Sequence, residues 1–263
     1  MHDSRLARTG VPVRGLLVRT VLLLSVAIPS VSSDGVEAQT PVEGELRQFV
    51  SFTFQPGRMG DAVTLYREEV VPLYEQDSHL LSFRAFREAE SPVPVDLVVV
   101  RAFRGMAGMD ASGGDLRAAA ERAGTSVGAL YGRIAAFSTG HIDEFVAMVP
   151  EWGSGDPTAS RLTAFVRLRL VPGLRQEAEA ALAELATWER EHGIAVAAGR
   201  FILSDGWEVM RLVGFGDLAE YEEWLRATAE TPAGAVLRAA TVERSTALLG
   251  PMPELERDGS RER

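Results

Sequence analysis

The chain has 263 residues, of which 46% are hydrophobic and 24% charged, a composition typical of a globular protein with one large core or two smaller ones. It contains no cysteine, which excludes disulfides, thiolate metal ligands and thiol nucleophiles. All 27 basic residues are arginine, which excludes lysine chemistry, and the formal net charge of −10 argues against a nucleic-acid partner.

Residues 1–38 are typical of a cleaved secretory signal. Arginines precede a short apolar run at residues 20–28, and small residues follow it. We expect cleavage after Ala38, or alternatively after Ser33. The apolar run is about half the roughly 20 residues that a spanning helix needs, so a retained anchor is the less favoured alternative. The mature protein is therefore predicted to be secreted or periplasmic, without a stable membrane span.

Residues 45–150 are predicted to form one β-α-β-β-α-β unit. In its first strand Val50 and Phe52 share one face, as period-two alternation requires. The first helix contains Pro72, which should kink it, and the glycine-rich residues 105–114 are expected to be a loop. The predicted strands are residues 47–55, 80–87, 95–103 and 142–149, of which the second and third should pair as a hairpin. The predicted helices are residues 60–76, 115–123 and 127–137.

Residues 162–255 are predicted to repeat this unit after a linker at residues 151–161. Asp217 with Glu220 should cap the start of its second helix. Residues 256–263 are expected to be a charged, disordered tail. The predicted helices are residues 174–192, 218–227 and 232–240, and the later strands are residues 195–203, 207–213 and 244–249.

The two units share recurring residues around the end of their first strands. Phe49, Val50, Pro56 and Gly57 of the first unit match Phe165, Val166, Pro172 and Gly173 of the second. This duplicated order of elements, with Val71-Pro72-Leu73-Tyr74 in the first long helix, resembles the dimeric α/β-barrel superfamily. Within it, the NIPSNAP-like and antibiotic-biosynthesis-monooxygenase-like domains look nearest. The resemblance implies an α+β fold of tandem ferredoxin-like repeats, whose two sheets face each other in one intramolecular barrel with the helices outside.

The same resemblance bears on catalysis. In that superfamily, the oxygenases that act without a metal and the haem-degrading members rely on an Asn together with a Trp and a His or Arg. This chain contains no Asn, so that catalytic set cannot be carried over. The catalytic residues are left unassigned and no cofactor is expected.

Two glycine-rich motifs are explained better as turns than as active sites. Residues 124–128 match the G-x-S-x-G elbow of hydrolases, but a helix rather than a strand precedes Ser126, which should instead cap the next helix. Residues 214–219 match a loose dinucleotide-binding pattern, but they follow the second arm of a hairpin, with no parallel crossover.

Two histidines lie at corresponding positions in the two units. His79 and His192 each follow the first helix of their unit, where an imidazole can satisfy the last carbonyls. A ligand-binding or catalytic role is the alternative, because histidine titrates near neutral pH. His141 and Asp143 could ligate a metal, but strand alternation sends Glu144 to the opposite face, so no metal site is predicted.

Arg167 and Arg169 are the main candidates for ligand binding. If alternate residues such as Val166 pack against helices, the two guanidiniums point to the opposite face, which lines the barrel in the resembling fold. Buried arginines need anionic partners. An internal acid such as Glu208 would meet that need. The alternative is a small anionic or amphipathic ligand in the lumen beside the two arginines.

The sequence leaves three functions open. We favour a secreted small-ligand-binding or interaction module, with Arg167, Arg169, His79 and His192 as its candidate ligand residues. The first alternative is a small-molecule enzyme of the monooxygenase-like type that lacks the Asn. The second is a structural domain that forms homo-oligomers by strand pairing.

Overall fold

The computed structural model describes residues 44–90 and 95–258. The predicted signal segment and its cleavage sites lie outside these residues, as do residues 91–94 between the second and third predicted strands and the end of the predicted tail at 259–263. Within the described ranges, no helix has both the length and the apolar character needed to cross a membrane.

Strands and helices follow the same order in two successive halves of the chain. The first half contains β1 (Glu45–Phe54), α1 (Met59–Leu65), α2 (Val71–Tyr74), β2 (Leu80–Glu90), β3 (Leu97–Arg104), α3 (Gly105–Arg122), α4 (Val127–Phe137) and β4 (Ser138–Met148). The second half contains β5 (Leu162–Leu170), α5 (Arg175–Glu191), β6 (Val196–Leu203), β7 (Val209–Phe215), α6 (Leu218–Glu230), α7 (Pro232–Ala239) and β8 (Thr241–Pro251). A short strand, β9 (Arg257–Asp258), follows.

The strands pair antiparallel and close into a barrel. In the first half, β1 lies between β3 and β4, and β2 pairs with β3, which confirms the predicted hairpin. In the second half, β5 lies between β7 and β8, and β6 pairs with β7. The halves join where β4 pairs with β6 and where β2 pairs with β8. Each of the strands β1–β8 therefore has a neighbour on both sides, which leaves none of them as an open edge.

Alternation along the strands separates an inner face from an outer face. On β1, Val50 and Phe52 point outward into a core shared with α1–α4, whereas Phe49 points inward. On β5, Val166 points outward into a second core shared with α5–α7, whereas Phe165 points inward. The predicted arrangement, with helices outside and strand faces turned toward each other, is confirmed.

Side chains from both halves meet in one apolar cluster inside the barrel. At its centre, the rings of Phe49 and Phe165 stack with their centroids 5.0 Å apart and their planes 6° from parallel. Val146, Phe86 and Leu249, from the strands that join the halves, pack into the same cluster and are buried. Neither half can bury its inner face without the other.

The first long helix contains a π-helical turn at Tyr66–Val70, between α1 and α2. There the Val71 N–H bonds to the Tyr66 carbonyl, five residues back. Pro72 has no N–H, and in a regular α-helix its ring collides with the carbonyl four residues earlier. The predicted distortion at Pro72 therefore takes the form of a wider turn just before it.

The glycine-rich residues 105–114 are helical, so the predicted loop is wrong. They belong to α3, which also includes the helix that was expected to start at Asp115. The Ser112 hydroxyl donates to the buried Asp77 carboxylate, and Leu116 packs into the core of the first half. These tertiary contacts override the low helix propensity of the glycines.

Two predicted helix starts are confirmed. The Ser126 hydroxyl oxygen accepts a hydrogen bond from the Ala129 N–H at 3.1 Å, which explains the G-x-S-x-G match as a helix cap. The Asp217 carboxylate accepts from the Glu220 N–H at 3.0 Å, and the Glu220 carboxylate accepts from the Gly216 N–H at 2.6 Å.

Ordered structure extends into the segment that was expected to be a disordered tail. Strand β9 pairs with Ser82 and Phe83 of β2. Just before it, Glu256 forms an ion pair of 3.3 Å with Arg84. These main-chain and charge contacts offset the entropy that a charged tail loses on ordering.

Replacing Phe165 by alanine should remove half of the central ring stack and leave a cavity in the shared core. We expect the free energy of unfolding to fall by about 3–5 kcal/mol, with both halves unfolding in a single transition. Urea denaturation followed by circular dichroism and tryptophan fluorescence measures both quantities. Leu203→Ala, at an exposed position on β6, is the control and should cost about 0.5 kcal/mol or less. Equal losses in the two variants would contradict a shared inner core.

Candidate functional site

Arg167 and Arg169 lie on the inner face of β5, as strand alternation predicts. Arg167 is nearly buried, and its Nη1 lies 3.4 Å from Oε2 of Glu144 on β4. The predicted partner Glu208 is wrong, because the Glu208 carboxylate pairs with Arg175 at 2.6 Å instead. An internal acid therefore faces Arg167, but it comes from the opposite half of the chain.

Arg169 lies at the mouth of the barrel and is half exposed. Its Nη1 is 2.7 Å from Glu243, and its Nε and Nη2 donate to the two carbonyls of the turn at residues 205–206. The Trp207 ring lies next to both arginines, with its centroid 5.3 Å from Cζ of Arg167 and 5.2 Å from Cζ of Arg169. Both predicted ligand arginines thus have protein partners.

His192 lies at the C-terminal end of α5, whereas His79 lies in the connection between α2 and β2, and both are exposed. Nδ1 of His192 is 2.7 Å from the Trp188 carbonyl oxygen, and its ring stacks on the Trp188 indole at 4.1 Å. The His79 backbone N–H donates to the Asp77 carboxylate at 2.9 Å. The structure does not bring the histidines together with the arginines. A ligand-binding role for these four residues stays a prediction.

His141 and Asp143 form a pair of 3.3 Å on β4. Glu144 faces the barrel interior instead, the separation that alternation predicts. Among the residues that the structure describes, no three histidine or acidic side chains come close enough together to hold a metal ion.

A cavity of about 460 Å³ lies between the barrel and the helices of the second half. This volume falls in the range of small-molecule pockets. Its apolar wall comes from the outer face of β5 and from α5–α7, and includes Val166, Leu168, Leu185, Trp224 and Leu237. The charged side chains that line it are Arg211, Arg238, Glu243 and Arg244.

The charge of Arg211 is matched within the protein. Arg211 on β7 is 3% exposed, and its Nη2 lies 2.6 and 2.5 Å from the two carboxylate oxygens of Glu189 on α5. Trp224 on α6 donates its indole N–H to the same carboxylate at 2.9 Å. The three side chains connect the barrel to two helices through one buried carboxylate.

Arg244 on β8 has no carboxylate partner among the described residues. Its Nε donates to the Thr246 hydroxyl at 3.2 Å, and its Cζ lies 5.8 Å from the centre of the Trp224 ring. Arg244 is exposed to solvent, and partial desolvation together with repulsion from Arg211 lowers the pKa of its guanidinium. An unpaired guanidinium beside an apolar wall is suited to an anion with an apolar body.

The sequence interpretation did not identify Arg211 or Arg244. Arg211 lies within the apolar run of β7, on the same outward face as Val209 and Val213. A charged residue within such a run is a sequence pattern that indicates a buried charge. Arg244 lies in a polar stretch of β8 and carries no such sign. Only its tertiary position beside Trp224 distinguishes it.

In the first half, a polar cluster lies between the barrel and the helices. Arg101 on β3 donates to the Tyr74 hydroxyl at 2.8 Å and to the Gln48 side-chain oxygen. The Tyr74 hydroxyl lies 3.2 Å from that of Tyr131, and Gln48 donates to Asp143 at 2.7 Å. Burial raises the pKa of Tyr74 well above its usual value, so its hydroxyl stays protonated. The Arg101 guanidinium is therefore hydrogen-bonded to two protein groups, the Tyr74 hydroxyl and the Gln48 side chain.

The lining of the second-half cavity does not fit a haem, the group used by the haem-degrading members of the resembling superfamily. Haem iron needs an axial ligand from His, Cys, Met or Tyr. None of the side chains that line this cavity is of these types.

Solved structures match this architecture, whereas no protein-family profile and no curated protein matches the chain. A "putative monooxygenase" from Lactobacillus acidophilus NCFM superposes with a TM-score of 0.59 at 9% identity, over 82% of this chain and 97% of that one. A "putative monooxygenase" from Fusobacterium nucleatum gives a TM-score of 0.62 at 9% identity, over 82% of this chain and 95% of that one.

A third match is a mutant chlorite dismutase from Candidatus Nitrospira defluvii in complex with cyanide. It superposes with a TM-score of 0.56 at 15% identity, over 81% of this chain and 92% of that one. These proteins belong to the dimeric α/β-barrel superfamily. The chain has the dimeric α/β-barrel fold. At such low identities the likeness concerns the fold alone, and it confirms the α/β-barrel part of what the sequence resemblance implies.

Glu189→Gln should leave the buried Arg211 charge without a carboxylate. We expect the free energy of unfolding to fall by about 3 kcal/mol, because breaking a buried ion pair strands its partner. Urea denaturation of the purified variant measures this loss. Glu184→Gln, at an exposed position on the same helix, should change stability by about 0.5 kcal/mol at most. If the Glu189→Gln protein were as stable as the control, the ion pair between Glu189 and Arg211 would contribute nothing to the free energy of unfolding.

Stability should also depend on pH through Glu144. Burial raises the pKa of Glu144, and the attraction of Arg167 only partly offsets this rise. The folded state then holds the proton more tightly than the unfolded chain does, so the stability contributed by this group is lost as pH rises through the folded pKa. We expect the free energy of unfolding of Glu144→Gln, relative to the unmodified protein, to increase from about pH 4 to pH 7. Urea titrations across this range measure the difference, and a constant or decreasing difference would contradict the prediction.

Proposed function

We propose that the protein binds a small amphipathic anion in the cavity of its second half. The observation that carries the proposal is the Arg244 guanidinium, which lines an apolar cavity without a carboxylate partner of its own. Arg244 is exposed to solvent, and its guanidinium can donate charge-assisted hydrogen bonds to an anion that enters the cavity. A bound carboxylate or similar anion would accept these hydrogen bonds.

The cavity walls indicate the shape of the ligand. The apolar body would lie against Leu168, Leu185 and Trp224, which line the cavity beneath the helices. Val242, next to Arg244 and 63% exposed, extends the apolar lining. A medium-chain or aromatic carboxylate combines the two features that this arrangement recognises.

A small-molecule enzyme is the second candidate, because two structural relatives carry the name monooxygenase. The carboxylate that lines the cavity belongs to Glu243, and it is already paired with Arg169 at 2.7 Å. With the Asn of the superfamily's oxygenases also missing, binding without turnover is better supported.

We further infer that the two halves arose by tandem duplication and that the chain is related to the NIPSNAP-like and antibiotic-biosynthesis-monooxygenase-like domains. The repeated order of elements and the recurrence of Phe49 as Phe165 support the duplication. The arginine-rich, apolar start of the sequence supports export to the periplasm or the exterior. Assembly into homo-oligomers is part of the same proposal.

Decanoate and decanol, which share an apolar chain, provide the test. Isothermal titration calorimetry should show saturable binding of decanoate, with decanol weaker. Arg244→Gln should weaken decanoate binding by about tenfold or more, the value of a hydrogen bond to a charged group. Arg226→Gln, at an exposed position of α6 away from the cavity, should bind as the unmodified protein does.

A second variant tests the cavity itself. Ala229→Trp on α6 places a large ring at the cavity lining and should abolish decanoate binding while leaving the fold intact by circular dichroism. Decanoate affinity that is equal in the Arg244→Gln, Ala229→Trp and unmodified proteins would overturn the proposal.

A further inference from the structure

A second polar site lies inside the barrel, where Glu144 and Arg167 meet. The two residues belong to β4 and β5, which are not neighbours because β6 and β7 lie between them in the sheet. Their side chains are 1% and 12% exposed. The distance of 3.4 Å between Nη1 and Oε2 is long for a charged pair, in which about 2.7–2.9 Å is usual.

This pair contains one acceptor and one donor without a protein partner. Oε1 of Glu144 and Nε of Arg167 are both buried, and neither has a hydrogen-bond partner among the described residues. Nη2 of Arg167 is satisfied by Ser245, whose hydroxyl lies 3.3 Å away. Buried polar atoms almost always bond to protein or to an ordered small molecule such as water.

The surroundings separate these atoms from solvent. The rings of Phe165 and Trp207 each lie 5.3 Å from Cζ of Arg167. The adjoining turn at residues 205–206 is held by two hydrogen bonds from Arg169 at the barrel mouth. A methyl group added at Gly206 would lie 3.1 Å from Nη2 of Arg169, so the turn packs closely on that side chain.

Charge restricts what could bind here. The Arg167 charge already faces the Glu144 carboxylate, so an anion or a cation would leave one charge in excess in a buried space. A neutral molecule with one donor and one acceptor would satisfy both open positions.

We propose that Glu144 and Arg167 form an internal binding site for a small neutral molecule that carries both a donor and an acceptor, such as a primary amide, with water as its occupant when no other molecule is present. The site lies on the inner face of β5, whereas the anion cavity lies on the outer face of the same strand. Its chemistry is therefore independent of the function proposed above.

Crystal structures of the full chain with and without acetamide test the geometry. Without acetamide, we expect an ordered water within hydrogen-bond distance of both Oε1 of Glu144 and Nε of Arg167. With acetamide, we expect the amide in that place. A direct hydrogen bond from Nε of Arg167 to the Glu144 carboxylate would overturn the proposal. So would finding only water at the site at a saturating acetamide concentration.

Saturation-transfer NMR with acetamide tests the same site in solution. Glu144→Gln keeps the shape of the side chain but replaces the open acceptor with an N–H donor. We expect acetamide affinity to fall by about tenfold, with the fold checked by circular dichroism. Glu179→Gln, which alters the outer ion pair with Arg200, should bind acetamide as the unmodified protein does. Equal affinity in the three proteins would show that Glu144 does not bind the amide.

Discussion

The inner apolar core, built around the stack of Phe49 on Phe165, is the contact on which the rest of the structure depends. Its residues come from both halves, so the sheet closes only when the two halves pair through β4–β6 and β2–β8. Once the barrel is closed, successive residues of each strand point alternately to its inner face and to its outer face. The positions of Glu144, Arg167, Arg211 and Arg244 all follow from that assignment.

The barrel also explains why the arginines of this chain behave differently. Arg167 points inward and meets a carboxylate from the opposite half, while Arg211 points outward and meets Glu189 on a helix. Arg244 also points outward, but the strand and helices around it offer a hydroxyl and an indole ring instead of a carboxylate. Because Arg244 is exposed to solvent, its charge needs no partner within the protein, and its guanidinium stays free to bind the anion proposed above.

Sequence patterns predicted the strands and helix caps well where the stabilising interactions join residues that are close in sequence. The alternation in β1 and β5 and the caps at Ser126 and Asp217 depend on residues a few positions apart, and they are confirmed. The glycine-rich start of α3 was mispredicted because its stability comes from packing on distant residues of the first half. The partner of Arg167 was misassigned for the same reason, since Glu144 becomes its neighbour only across the closed barrel.

The sequence by itself determined the repeated order of elements, the face on which each strand residue lies and the resemblance to a dimeric α/β barrel. These features follow from short-range periodicity and turn chemistry, which act within a few residues. Only the tertiary structure decided which charges are neutralised and where a cavity remains. Ion pairing and packing join residues from distant parts of the chain, such as Glu189 with Arg211 and Arg244 with Trp224, and no local pattern records those distances.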